Sequence, residues 1–231
     1  MPATRGRGIR DGFERPIATV DVVVFTLDDG ELRVALHERQ NEPFAGTLAL
    51  PGGYVHVDAD ADLDATARRV LRDKADLRWG HLEQLATFSG VERDPRGWSL
   101  SAAYLAVVPV AELVGAPNLH LVSPTSSAVG RALPFDHGAI VAAAVDRLRS
   151  KSVYSTLPTF LVPSPFTIAE LRDVYQLVLG IDRLDLAGFR KKILDVGAVE
   201  PVAGELRTGA HRPAQLYRRT VGDVAVFDRT I

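Results

Sequence analysis

The chain has 231 residues, 46% hydrophobic and 24% charged, the mix of a globular protein of one to two domains that can bury a core. Its 27 basic and 29 acidic residues leave a net charge of −2, which excludes a chain basic from end to end or an acidic disordered tail, but not a basic face on one part. There is no cysteine, so disulfide scaffolds, cysteine nucleophiles and Cys-ligated zinc are excluded; no apolar run approaches the ~18 residues of a membrane span, and the polar N-terminus lacks a signal core, so a cytoplasmic location is expected.

Residues 1–16 are rich in Gly and Arg and read as a flexible tail; its Arg5, Arg7, Arg10 and Arg15 are solvated or touch a phosphate. A hairpin follows: Ile17 to Leu27 is Val-rich, Asp28-Asp29-Gly30 is a turn signal, and Glu31 to Arg39 alternates apolar and polar. The loop QNEPFAG leads to a short strand, Leu48-Ala49-Leu50, and to Pro51-Gly52-Gly53. The spacing of Leu63, Ala67, Val70 or Leu71, and Ala75 predicts a helix from Asp62 to Ala75, capped by Asp62 or Asp64. Strands are predicted over Glu83–Val91 and Leu100–Val108, joined by the turn Arg93-Asp94-Pro95-Arg96-Gly97. Asp136 is placed to cap a further helix from His137 to about Ser150. Strands and helices mix without the alternation of a parallel sheet, so this part is α+β or a mixed sandwich.

Composition changes near residue 151. SVYSTLPTFLVPSP holds Pro158, Pro163 and Pro165 and reads as a connector. Thr167 then caps TIAELRDVYQLVLG, with Glu170 completing a capping box and Gly180 as the stop. Asp185 caps DLAGFRKKILDVG, stopped by Gly197; Leu186, Phe189, Ile193 and Val196 share one side, and Arg190, Lys191, Lys192 and Asp195 point largely elsewhere. Strands are predicted at Gln215–Val221 and Asp223–Phe227 around Gly222. Helix, turn, helix and β-ribbon is the order of a winged helix-turn-helix. The charge divides with it: residues 1–150 carry 16 basic and 20 acidic residues, 151–231 carry 11 and 9, and 183–219 alone carry 8 and 4.

The stretch LALPGGYVHVDADADLDATARRVLRDKADL resembles a Nudix box, Gly-x5-Glu-x7-Arg-Glu-U-x-Glu-Glu-x-Gly-U with U aliphatic, and LHERQNEPFAGTLALPGG resembles the approach to it. In that family three helix carboxylates at i, i+3 and i+4 hold divalent cations that activate a water against a diphosphate. Here those positions are Val70, Asp73 and Lys74; Arg69, Leu71 and Leu77 fit, Asp76 replaces the glycine, the loop is two residues longer, and Ala59 or Ala61 replaces its glutamate. One carboxylate of three remains, and a cation at 74 repels Mg²⁺, so the resemblance implies a pocket that binds a nucleotide diphosphate without cutting it, with no metal, no catalytic residue and no required cofactor. VERDPRGWSLSAAYLAVVP is similar to the RDPRGR-type segment of Nudix proteins that handle ADP-ribose or related dinucleotides. The run Asp58, Asp60, Asp62, Asp64 is not an EF-hand, since its sixth and twelfth positions are Leu63 and Arg69. The six histidines, His37, His56, His81, His120, His137 and His211, show no ligand spacing, and no G-x-S-x-G elbow or Walker loop occurs.

YSTLP, PFTIAELRDVYQLVLG, LDLAGFRKKILDVGAVEP and HRPAQLYR resemble the winged-helix half of the Nudix-related transcriptional regulators (NrtR). The resemblance covers nearly the whole chain after residue 16 and implies a Nudix α/β/α sandwich at 17–150 and a winged helix at 151–231. It implies a homodimeric repressor of NAD biosynthesis or salvage genes that ADP-ribose releases from double-stranded operator DNA. Its effector candidates are Arg39, Phe44, Gly52, Gly53, Arg69, Asp73, Asp94 and Arg96, with the three arginines on the diphosphate and Phe44 against a ring. Its DNA candidates are Arg190, Lys191, Lys192, Arg212, Gln215, Arg218 and Arg219, with Arg190 and Lys191 nearest the groove and Arg212 on the wing. ADP-ribose, NAD and phosphoribosyl compounds all carry the needed phosphate. Two other readings stay open: an active Mg²⁺-dependent ADP-ribose hydrolase with an accessory C-terminal domain, using Asp73 with Glu83 or Glu92, and a scaffold that binds neither ligand nor DNA.

Overall fold

A computed structural model describes residues 15–77, 80–113, 116, 118–130, 133–208, 213–220 and 222–231. The Arg5, Arg7 and Arg10 tail positions, Arg212 and His211 lie outside the described residues.

The first half is built on β1 (Ile17–Asp28), which folds back through Asp29 and Gly30 onto β2 (Glu31–Glu38). Both turn residues have positive φ, 49° and 74°, the handedness that matches the twist of a two-residue hairpin. β3 (Leu48–Ala49) adds to β2, and β4 (Gly52–Tyr54) pairs with the start of β1. α1 (Leu63–Ala75) crosses next, capped by Asp62, whose carboxylate accepts from the Ala65 amide at 2.7 Å. It ends at Asp76, left-handed at φ 49°, which explains why the Nudix box has glycine there. β5 (His81–Gly90) and β6 (Ser99–Val107) form the second hairpin, and β6 runs parallel to β1 over its length. β7 (Leu119–Val122) covers the remaining part of β2, and α2 (Ser127–Gly130) leads into α3 (His137–Ser152). The sheet order is β3-β2-β1-β6-β5.

β1 reads VDVVVF because both of its faces are covered. Val20, Val22 and Val24 pack with Ala67, Val70, Leu71 and Ala75 of α1. Val23 and Phe25 pack with Ile140, Val141, Ala144, Val145 and Leu148, one stripe of α3. The result is the expected α/β/α sandwich. The expected Asp136 cap is not made: the side chain bonds no helix amide and instead accepts from Arg93.

The C-terminal part starts from α4 (Ile168–Leu179) and α5 (Leu186–Asp195). The capping box is present: the Glu170 amide donates to Thr167 Oγ1, the Thr167 amide donates to the Glu170 carboxylate, and Gly180 closes α4 at φ 69°. Ile168, Leu171, Tyr175, Phe189 and Ile193 make a small core with Tyr217 and Phe227. The wing differs from its prediction. Its ribbon is β8 (Val199–Arg207) with β9 (Ala214–Arg219), and residues 223–227 are not a strand of it. That segment runs back along the connector, where Ala225 and Phe227 exchange backbone bonds with Thr156 and Tyr154. β8 escapes a sequence reading because Pro201 and Gly204 interrupt it, and only the bulged pairing with β9 holds it extended.

The connector is packed into both cores. Leu157, Phe160 and Leu161 belong to the core of the sheet, while Val162 and Phe166 belong to the helical core. Val178 of α4 is buried against the sheet side. One continuous apolar contact therefore joins the two halves.

Candidate functional site

A cavity of about 500 Å³ opens at the C-terminal end of α1, between β1, β4, the loop after β2 and the loop between β5 and β6. Arg39, Gly52, Gly53, Arg69, Asp73, Asp94 and Arg96 all line it. Phe44 does not; it stands at the rim, edge-on to Phe135 with ring centroids 5.2 Å apart. Both rings sit on left-handed backbone, φ 68° and 58°, a costly conformation for a bulky residue.

The floor is a buried polar network. Asp21 of β1 is 6% exposed. It faces Arg93 at 3.4 Å and His137 Nε2 at 3.5 Å. The Leu50 amide donates to His137 Nδ1 at 3.1 Å, so the other ring nitrogen carries the proton toward Asp21. Burial alone would raise the Asp21 carboxyl, but His137 and Arg93 outweigh it and hold it below its ordinary value. Gly52 is fixed by this network: a Cβ there would lie 2.0 Å from Asp21 Oδ1. Gly53 lets β4 close on α1, since its Cβ would meet Val70 at 3.3 Å.

The arginines divide by partner. Arg69 grips Asp60 through Nε and a terminal nitrogen at 2.8 and 2.7 Å and donates to the Tyr54 carbonyl at 2.8 Å. This hydrogen bonding raises the arginine and depresses the carboxyl. Arg96 makes the same fork on Asp94, at 2.9 and 2.7 Å, and donates to the Tyr54 hydroxyl. Asp94 is held ionised, its burial outweighed by Arg96. Arg39 donates only to the carbonyls of Pro43 and Asn41, at 2.9 and 3.2 Å, and lies over the Phe135 ring at 4.9 Å. The three arginines expected on a diphosphate all line the cavity; Arg69 and Arg96 also fork onto neighbouring carboxylates, and Arg39 does not. Sequence reading missed Asp21, Tyr54, Arg93, Phe135 and His137; Arg93 stood in the RDPRG signal, but the others carry no motif.

The donor chemistry does not fit the divalent cations of a Nudix hydrolase. Among the described residues, no group of three His, Asp or Glu is placed to hold a metal. Of the three box positions, Val70 is core at 2% exposure, Asp73 pairs with Arg72 at 3.2 Å, and Lys74 lines the cavity. The proposed stand-ins do not reach it. Neither Glu83 nor Glu92 lines the cavity, and Glu83 bonds His81, Lys151 and Arg147.

On the C-terminal half, Arg190 and Lys191 are exposed on α5, and the Arg190 guanidinium sits 5.7 Å from the Tyr217 ring centroid. Lys192 instead donates to the carbonyls of Arg229 and Thr230. Gln215 donates to Val202, Glu205 and Leu216 carbonyls and fills the β8 bulge. Arg218 is exposed and pairs across the ribbon with Glu200 at 2.7 Å. Arg219 turns inward, 4.0 Å over Phe160. The residues expected on DNA thus separate into an outward set, Arg190, Lys191 and Arg218, and an inward pair, Lys192 and Gln215, with Arg219 joining the latter.

A Nudix-type sandwich with an arginine-rich cavity and unmatched metal positions, packed onto a helix-turn-helix and wing, defines a class of proteins: Nudix domains joined to a DNA-binding module. The sequence profile of the NrtR DNA-binding winged helix domain matches residues 158–219. A protein of Acinetobacter baylyi named "ADPR responsive transcriptional repressor NtrR" is 34% identical over 218 residues, 93% of this chain and 86% of that one. The crystal structure of Shewanella oneidensis NrtR complexed with a 27mer DNA superposes with a TM-score of 0.82 at 32% identity, over 93% of this chain and 99% of that one. The NUDIX domain of the same protein complexed with ADP ribose matches with a TM-score of 0.53 at 32% identity, over 59% of this chain and 90% of that one. The chain belongs to the NrtR family.

Proposed function

We propose that this chain is a DNA-binding transcriptional repressor of NAD biosynthesis or salvage genes whose Nudix-like part, 17–150, binds ADP-ribose and thereby releases DNA held by 151–231. The observation that carries the reading is a single chain in which a nucleotide-sized, cation-lined cavity without a metal donor set among the described residues is packed through a shared core onto a winged helix. The relative named ADPR responsive and the relatives complexed with DNA and with ADP ribose support both ligands. The effector contacts are Arg39, Gly52, Gly53, Arg69, Asp73, Asp94 and Arg96, with Phe44 closing the rim. The DNA contacts are Arg190 and Lys191 in the major groove, with Arg218 and Arg212 from the wing. The protein acts as a homodimer on two half-sites, in the cytoplasm, without turnover and without a required cofactor. Among the described residues no helix is long and apolar enough to cross a membrane.

Linkage makes the test two-sided: ADP-ribose weakens operator binding, and operator DNA weakens ADP-ribose binding by the same factor. A gel-shift titration on duplex DNA from upstream of NAD biosynthesis or salvage genes measures the first and calorimetry the second. DNA binding that ADP-ribose leaves unchanged overturns the coupling. Release of AMP from ADP-ribose with Mg²⁺ or Mn²⁺, abolished by Asp73→Ala, overturns the absence of turnover.

A further inference from the structure

Five cationic side chains line the cavity, Arg39, Arg69, Lys74, Arg93 and Arg96. Three are committed: Arg69 to Asp60, Arg93 to Asp21 and Asp136, Arg96 to Asp94. Among the described residues, Arg39 and Lys74 have no carboxylate partner within ion-pair distance. Four carboxylates line the cavity with them; Asp21 and Asp94, whose charges act on Arg39, are themselves held by Arg93 and Arg96. Asp73 pairs with Arg72 on the exposed side of α1, and Glu42 stands exposed in the loop that forms the outer lip. His37 lies on the same wall. Burial holds its imidazole below the ordinary value, and the charges of Lys74 and Arg39 push it the same way. Lys74 stands at a position where a Nudix box carries a metal-binding carboxylate and Arg39 faces the same cavity, both without an ion-pair partner among the described residues.

We propose that Lys74 and Arg39 form a metal-independent seat for a diphosphate, the Lys74 ammonium supplying the counter-charge that a divalent cation supplies in the hydrolases. The assignment rests on the ADP-ribose reading above and makes it more specific. ADP-ribose carries one negative charge on each of its two phosphates, which two separate uncommitted cations match one for one, whereas the charge of a nucleoside monophosphate, about −1.5 to −2, sits on a single phosphate. An ammonium neutralises charge without generating a nucleophilic water, so the same substitution that removes hydrolysis retains binding. The response then follows the nucleotide alone and not the divalent-ion level.

The test is calorimetric titration of the full-length protein with ADP-ribose, in EDTA and in excess Mg²⁺. The wild type is expected to bind with affinities equal within about twofold in the two buffers. Lys74→Gln is expected to weaken binding by about tenfold to a hundredfold in both, the effect of removing one charge-assisted hydrogen bond. Lys74→Arg should restore most of it, and AMP should lose less than ADP-ribose from Lys74→Gln. Lys74 is exposed, so these variants should melt with the wild type. Wild-type binding that requires Mg²⁺, or Lys74→Gln that binds as tightly as wild type in EDTA, overturns the seat and leaves the effector reading standing. No ADP-ribose binding by wild type in either buffer overturns the effector reading itself, and the seat with it.

Discussion

Gly52→Ala separates two roles for the first glycine of the loop: room for a ligand, or room for the protein's own carboxylate. Its backbone is not at positive φ, so alanine is conformationally allowed. The added Cβ would lie 2.0 Å from Asp21 Oδ1 and 3.1 Å from the Val20 carbonyl oxygen. The strand carbonyl cannot retreat without breaking its sheet, so the carboxylate must move. It then leaves Arg93, at 3.4 Å, and His137, at 3.5 Å, in a buried site. Breaking a charged hydrogen bond in such a place costs about 1.5–3 kcal/mol. Spread over a chain of this size, about 2–3 kcal/mol lowers Tm by about 4–12 °C. Asp21→Ala removes the obstacle, so Gly52→Ala in that background should cost under about 1 kcal/mol, a coupling near 2 kcal/mol. The assay is urea and thermal unfolding of the four proteins of this cycle. Additive effects, or a Gly52→Ala protein as stable as wild type with weakened ADP-ribose binding, would refute the steric argument.

Arg190→Ala with Lys191→Ala should weaken binding to operator more than to unrelated duplexes, and flatten the salt dependence by about one unit for each phosphate left without its cation; ADP-ribose affinity, read by calorimetry, should not change. Glu83 is expected to give an acid limb of stability. Burial alone would raise its carboxyl, but His81 and Lys151 draw it down to about 2, so its contribution is full above the ordinary carboxylate value and is lost as pH falls from about 4.5 toward 2. The urea-unfolding difference between wild type and Glu83→Gln should therefore shrink across that window, and a difference that grows on acidification contradicts the assignment. Tyr175→Phe should cost about 1 kcal/mol, the bond from its hydroxyl to the Ser155 carbonyl at 2.9 Å, without changing ADP-ribose affinity, as thermal melts and calorimetry would show. Asp76→Gly should raise Tm, because Asp76 holds left-handed backbone at φ 49° at a cost of about 1 kcal/mol that glycine avoids.

Local chemistry made much of this molecule readable from the chain. Asp29-Gly30 admits the positive φ of a tight hairpin, Asp62 and Thr167 offer oxygens to free helix amides, and the stripe on α1 repeats at 3.6 residues; each signal acts within a few positions of itself. The edited box at Val70, Asp73 and Lys74 was legible for the same reason, since helix spacing alone places those side chains together. What the chain could not display were partners distant along it. Asp21 meets Arg93 and His137, Arg69 meets Asp60 across a loop, and Phe44 meets Phe135. The wing strand β8 depends on a ladder to β9 that overrides Pro201 and Gly204. Lys192, Gln215 and Arg219 looked like DNA-binding residues by type and spacing, yet the C-terminal segment, the bulge and Phe160 occupy them. Charge and periodicity are properties of a segment, so the sequence by itself determined which segments are helical and where positive charge accumulates. Whether a given cation is free to bind depends on which carboxylate or ring folding brings against it, and only the tertiary structure decided that.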